Sequence, residues 1–164
     1  MHRCKLRISI ALIFTITASP ALADSVNGTF ETKGKQFQPT DVAAFQAKDR
    51  TLVVLSTAAL DRKSIASADD AYAAAINDPA VLGKDYITFW VNGKGVVSMN
   101  ATIDGAQNID SSGMIFGAQG GLVANCPMNA KERVTCHVTS VKDPRSKWTV
   151  DLAFDTAVVA QPRK

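Results

Sequence analysis

The stretch Gly121–Asp155 constrains the fold more than any other part of this chain. It reads GLVANCPMNAKERVTCHV, then a short linker, then KWTVDLAFD. Side chains on a strand point to opposite faces in turn. Trp148, Val150, Leu152 and Phe154 therefore share one face, while Thr149, Asp151 and Asp155 share the other, with Ala153 between the two acids. Before them, Val134, Cys136 and Val138 oppose Arg133, Thr135, His137 and Thr139, and Leu122, Ala124 and Cys126 share a face in the preceding segment. The pattern predicts a three-stranded antiparallel meander. Both cysteines fall on its apolar face, side by side across a hairpin. Opposed residues of such a pair lie about 4.5–5.5 Å apart at Cα, within disulfide range. The spacing thus predicts a Cys126–Cys136 disulfide.

Residues 1–23 read as a secretory leader. Arg3, Lys5 and Arg7 form a basic region, Ile8 to Thr17 is apolar but too short to span a bilayer, and Ala21-Leu22-Ala23 is a small-residue cleavage site. Cleavage would leave a single domain, 24–164, beginning at Asp24. It would also remove Cys4 and three of the 18 basic residues, leaving 15 basic against 15 acidic. A neutral surface offers no electrostatic reason to bind nucleic acid. Two remaining cysteines in an exported chain suit an oxidising compartment. The leader looks bacterial, so the expected address is periplasmic or secreted, and the mature chain is not expected to be an integral membrane protein.

The middle of the chain continues the β pattern. Val26, Gly28 and Phe30 alternate with polar residues; Val42–Ala47 forms another strand; and TLVVLS at 51–56 is an unbroken apolar run suited to burial on both faces. The period then changes. Ser67 is placed as a helix cap before Asp69 and Asp70, followed by Ala71, Tyr72, Ala75 and Ile76 at helical spacing and a stop at Asn77-Asp78-Pro79. Tyr86 to Ile103 forms a hairpin. A loop at Gly93-Lys94-Gly95 that pairs Val91 with Val97 puts Ile87, Phe89, Val91, Val97, Met99, Ala101 and Ile103 on one face, with Gly95 in the left-handed conformation beside a bulge. Tyr86 and Trp90 then sit among hydroxyls and an amide on the other face, either as a wet binding surface or as packing beneath a helix. Asp104 to Gly120 is irregular and polar apart from Met114, Ile115 and Phe116, a short strand or the apolar tip of a binding loop.

Chemistry-bearing motifs are sparse. His137 is the one histidine beyond the leader, and no G-x-S-x-G elbow accompanies it. With the cysteines paired, zinc lacks soft ligands. Met99, Met114 and Met128 form no cluster with His137 that would select copper. Asp104, Asn108 and Asp110 lack the order of a calcium loop. Asp151 and Asp155 stand about 13 Å apart along one strand, too far for a glycosidase pair. No metal or cofactor is expected.

The fold expected is mainly β: an antiparallel sandwich or barrel-like domain of about eight strands, with one short α-helix and one disulfide. The function expected is that of a non-enzymatic binding protein for a protein or cell-envelope ligand, with Tyr86, Trp90, Met114, Ile115, Phe116 and His137 as candidate contacts. The alternatives are an inhibitor or immunity protein that blocks a cell-wall-directed enzyme, and a small hydrolase using His137. Reducing the disulfide should lower the melting temperature by several degrees, because so short a closed loop contributes about 2–3 kcal/mol. Calorimetry with and without reductant measures this, and an unchanged transition would show that the pair is not structural.

Overall fold

Alternation of period two governs most of what this chain builds. The computed structural model describes residues 23–32, 34–78, 81, 84–92, 95–110, 121–127, 132–141 and 148–160, with positions 97 and 106–110 as backbone alone. They form ten strands: β1 (Ser25–Thr32), β2 (Lys35–Phe37), β3 (Asp41–Ala47), β4 (Arg50–Ser56), β5 (Tyr86–Asn92), β6 (Gly95–Ile103), β7 (Ala106–Asp110), β8 (Leu122–Asn125), β9 (Arg133–Ser140) and β10 (Trp148–Val159). Two six-residue helices, α1 (Arg62–Ser67) and α2 (Ala71–Ile76), lie between β4 and β5. The strands make one sheet in the order β2-β1-β10-β3-β4-β5-β6-β7, with β9 and β8 branching from β10, curled into a half-barrel. The expected mainly β, barrel-like domain is what forms. It has ten strands where about eight were expected, and two helices where one was. The pairing is antiparallel except for one short parallel contact, Val158–Ala44 and Val159–Phe45.

The meander β8-β9-β10 has the predicted faces. Leu122, Val134, Val138, Val150, Leu152 and Phe154 are buried in one cluster, and Ala124 packs against it. Asn125 opposes His137 in the register, which brings the next residues together as the Cys126–Cys136 disulfide, with Cα atoms 4.1 Å apart. Phe154 stacks on Phe89 of β5 with ring centroids 5.3 Å apart. That contact joins the two limbs of the curled sheet through a shared interior, where deleting a phenylalanine ring typically costs about 3–5 kcal/mol.

β4 is buried from Thr51 to Ser56, as its apolar run requires. Val53 and Leu55 enter the half-barrel interior, while Leu52 and Val54 face a second cluster with Ile65, Ala66, Ala71 and Ala75 of the helices. Helices of six residues are not stable alone. Here each has a carboxylate cap and an apolar side set on the sheet. Asp61 accepts from the Ser64 N–H, and Asp70 accepts from the N–H groups of Tyr72 and Ala73. Asp70 thus caps α2, and Ser67, the residue expected as the cap, instead ends α1.

The β5–β6 register matches the expectation from Tyr86–Thr102 to Trp90–Ser98 and then shifts at a bulge, so that Val91 pairs with Val96 instead of Val97. Gly95 has the anticipated positive φ of 115°. Ala106–Asp110, expected within an irregular stretch, pairs with β6 as β7. Residues 114–116 lie outside the described residues.

Among the described glycines, Gly28 leaves the least room for a side chain. Its φ is +102°, and a Cβ built there would stand 1.9 Å from the carbonyl oxygen of Asp151. β1 can approach β10 this closely only without a side chain. Gly28→Ala should destabilise the protein by more than about 3 kcal/mol, combining left-handed strain of about 1–2 kcal/mol with displacement of a paired strand. Urea unfolding tests this, and a loss below about 1 kcal/mol would contradict it.

Candidate functional site

The same alternation that buries one face of β1, β10, β9 and β8 leaves the other face polar. Its rows run across the strands. Asn27 of β1 opposes Ala153 of β10, which opposes His137 of β9, which opposes Asn125 of β8. The adjoining row carries Ser25, Asp155 and Thr135. Ala153 is the smallest side chain in its row, and taller neighbours surround a cleft of about 360 Å³ over it. Pro127, just beyond β8, adds an apolar edge. Phe154 and Cys136 also border the cleft, but their side chains belong to the interior.

The charged groups here are paired with one another. His137 Nε2 stands 2.8 Å from Asp151 Oδ1 on the diagonal across β9 and β10. An ionised carboxylate only accepts, so this contact places the proton on Nε2 and leaves Nδ1 for another partner. Thr135 Oγ1 donates to Asp155 Oδ1 at 2.9 Å, and Arg133 Nε donates to the same oxygen. The Arg133 guanidinium also donates to the Ala23 carbonyl and lies 3.9 Å from Asp24. Asp24 accepts from the Ala157 N–H at 2.8 Å and lies 3.6 Å from Arg62.

Arg62 forms a two-point pair with Asp41 at 2.6 and 3.1 Å and donates to the Val42 carbonyl. Its hydrogen bond to Asp41 raises the guanidinium pKa; burial opposes this, and the charges of Asp41 and Asp24 add to it. Arg62 accordingly stays charged at every pH the protein meets. A continuous ionic chain, Asp41–Arg62–Asp24–Arg133–Asp155, runs from the helical layer to the rim of the cleft.

Not all groups in the cleft are committed. The side chains of Asn27 and Asn125 make no hydrogen bond among the described residues. Two free amides, an imidazole nitrogen and the Ser25 hydroxyl offer donors and acceptors that carry no net charge. An imidazole oriented by a carboxylate is half of what general-base catalysis needs. The Thr135 hydroxyl beside it is already donated to Asp155. No group of three or more His, Cys, Asp or Glu side chains converges to hold a metal among the described residues. No helix among them is long and apolar enough to cross a membrane.

The described candidate residues, Tyr86, Trp90 and His137, do not meet at one place. His137 lies in the cleft. Tyr86 and Trp90 are half-buried against the second cluster, with Trp90 6.0 Å from the Tyr72 ring and under the Arg50 guanidinium. The helical layer thus occupies the face read as a possible wet surface. Beside them, Thr88 Oγ1 and Asn100 Oδ1 are buried without a hydrogen-bond partner among the described residues. Sequence reasoning missed Ser25, Asn27 and Asn125. The alternation of Val26, Gly28 and Phe30 already put Ser25 and Asn27 on a polar face; what it could not show was that β1 pairs with β10.

The two carboxylate partners, His137 and Arg133, should differ in their structural weight. The His137–Asp151 pair is 55% and 74% exposed, so His137→Ala should change stability by less than about 0.5 kcal/mol. Arg133→Ala leaves Asp155 and Asp24 short of a partner and should cost about 1–2 kcal/mol. Urea unfolding of both variants tests the contrast, and equal losses would contradict it.

No protein-family model matches this chain, and no curated protein or solved structure is significantly similar to it.

Proposed function

We propose that this chain is an exported, non-enzymatic binding protein of the periplasm or external medium, and that it recognises a protein or envelope ligand with the polar face of β1, β10, β9 and β8. The observation that carries this reading is the row Asn27–Ala153–His137–Asn125: two free amides and an imidazole standing around a notch. The floor beneath it is hydrogen-bonded on both edges of β10 and tied by a disulfide, so the groups are held in place before a ligand arrives. Preorganisation of this kind lowers the entropy lost on binding. Export is supported by the leader-like 1–23 segment and by the cysteine pair, which suits an oxidising compartment.

Two other readings have narrower support. An inhibitor of a cell-wall-directed enzyme, acting through the turn after Cys126, is favoured by Pro127 at the edge of the cleft. A small hydrolase is favoured by the His137–Asp151 contact.

The processed wild-type protein, immobilised and exposed to solubilised envelope and periplasmic extract, should retain one stoichiometric ligand. A triple variant, Asn27→Ala, Asn125→Ala and His137→Ala, should lose it while melting normally. Equal retention by the variant would place recognition elsewhere. Turnover of a substrate that disappears in His137→Ala alone would overturn the non-enzymatic reading.

A further inference from the structure

The geometry points to an uncharged saccharide chain, laid across the strands, as the ligand of this cleft. The inference rests on the reading of the polar sheet face as the recognition surface, and names what that surface takes.

Charge is the first argument. The carboxylates bordering the cleft already have partners on the protein: Asp155 accepts from Arg133 and Thr135, and Asp151 stands beside the His137 imidazole. What remains for a ligand is neutral: the amides of Asn27 and Asn125, the Ser25 hydroxyl and the second imidazole nitrogen. Amides and hydroxyls both donate and accept, which matches a ligand whose own groups do the same all around its edge. Among the described residues at the cleft the cation, Arg133, is already paired with Asp155, so a polyanion would lose hydration and meet the Asp151 and Asp155 carboxylates without gaining a counter-charge.

Placement is the second argument. An extended peptide is normally captured at a sheet edge, where it adds a strand through unpaired backbone groups. This cleft lies on the face of the sheet. The backbone of β10 beneath it is paired to β1 on one side and β9 on the other from Asp151 to Asp155, so no main-chain group of that floor is free to pair with a peptide. Recognition must come from side chains alone, spread along a row. From Asn27 to Asn125 that row crosses three inter-strand steps of about 4.8 Å, roughly 14 Å in all. Each step is close to the length of one sugar ring, so successive rings of a chain running across the strands meet successive strands. The Ala153 notch admits one ring edge, and Pro127 offers an apolar surface to its C–H groups.

Among the described residues no Phe, Tyr or Trp side chain faces the cleft, so affinity rests on hydrogen bonds and is expected to be weak, about millimolar for a single short chain.

The test uses the processed protein labelled for amide NMR. The probes are a neutral β-glucan tetramer, an N-acetylglucosamine tetramer, a polygalacturonate tetramer as the charged counterpart, and an uncharged Gly/Ser decapeptide. A neutral tetramer should shift the amides around Asn27, Asn125, Thr135, His137 and Ala153 and bind more tightly than the charged one. Ala153→Leu, which fills the notch, should lower that affinity about tenfold or more while leaving the melting temperature within the error of the wild type. Asn27→Ala with Asn125→Ala should weaken binding to a similar extent. Tighter binding of the charged tetramer, or binding unchanged by Ala153→Leu, would overturn the inference. If only the peptide or another envelope ligand shifts these residues, the saccharide assignment fails and the binding face stands. If none of the probes and no envelope fraction perturbs them, both fail.

Discussion

Strand β10 must be hydrogen-bonded along both edges, and the rest of the molecule is arranged to meet that requirement. Asp151 to Asp155 pair with β1 on one side and β9 on the other, and Val158 and Val159 then pass to β3 in parallel. Because side chains alternate, the same few residues supply both core and candidate site. Val150, Leu152 and Phe154 enter the interior; Asp151, Ala153 and Asp155 form the polar floor. A buried backbone group left unpaired costs about as much as a lost hydrogen bond, so the floor cannot move without disturbing the core. Gly28 meets the same constraint from the other side, since only a residue without a Cβ lets β1 reach the Asp151 carbonyl.

A second set of interactions ties the ends of the chain to the middle. Asp24 receives the Ala157 N–H and lies between Arg62 and Arg133, while Arg62 grips Asp41 and the Val42 carbonyl at the start of β3. Exposed ion pairs contribute little singly. These are partly buried and share atoms, so each partner limits the freedom of the next. The result anchors α1 to β3 and fixes the start of β1 against the end of β10. One consequence for function is that Arg133 is engaged before any ligand arrives, which leaves the uncharged amides and hydroxyl of the cleft to meet it.

How much of this was legible in the sequence follows from how local each signal is. The meander from Leu122 to Phe154, its disulfide, the doubly buried β4 and the face shared by Ile87, Phe89 and Met99 all rest on period-two patterns within single segments. They could be read directly. α1 was missed because RKSIAS is too short to show a helical stripe, although Asp61 was recognisable as a cap. β7 was missed because AQNID has no apolar alternation and is a strand only through its pairing with β6. The candidate site divides in the same way. Thr135, His137, Asp151 and Asp155 were assigned to polar faces correctly, but the contact of Asn27 with that surface depends on β1 meeting β10 from the far end of the chain. Tyr86 and Trp90 drew attention as aromatics among hydroxyls. Nothing local reveals that α1 and α2 cover that face.

The central claim, that β10 is the common support of the core and the recognition face, is tested most directly by native-state amide hydrogen exchange. Amides of Leu152, Ala153 and Phe154, with their partners in β1 and β9, should exchange only through global unfolding, while those of β7 should open at much lower free energy. Exchange of β1 or β9 by a sub-global opening far below the global value, with β4 and β5 still protected, would contradict the account.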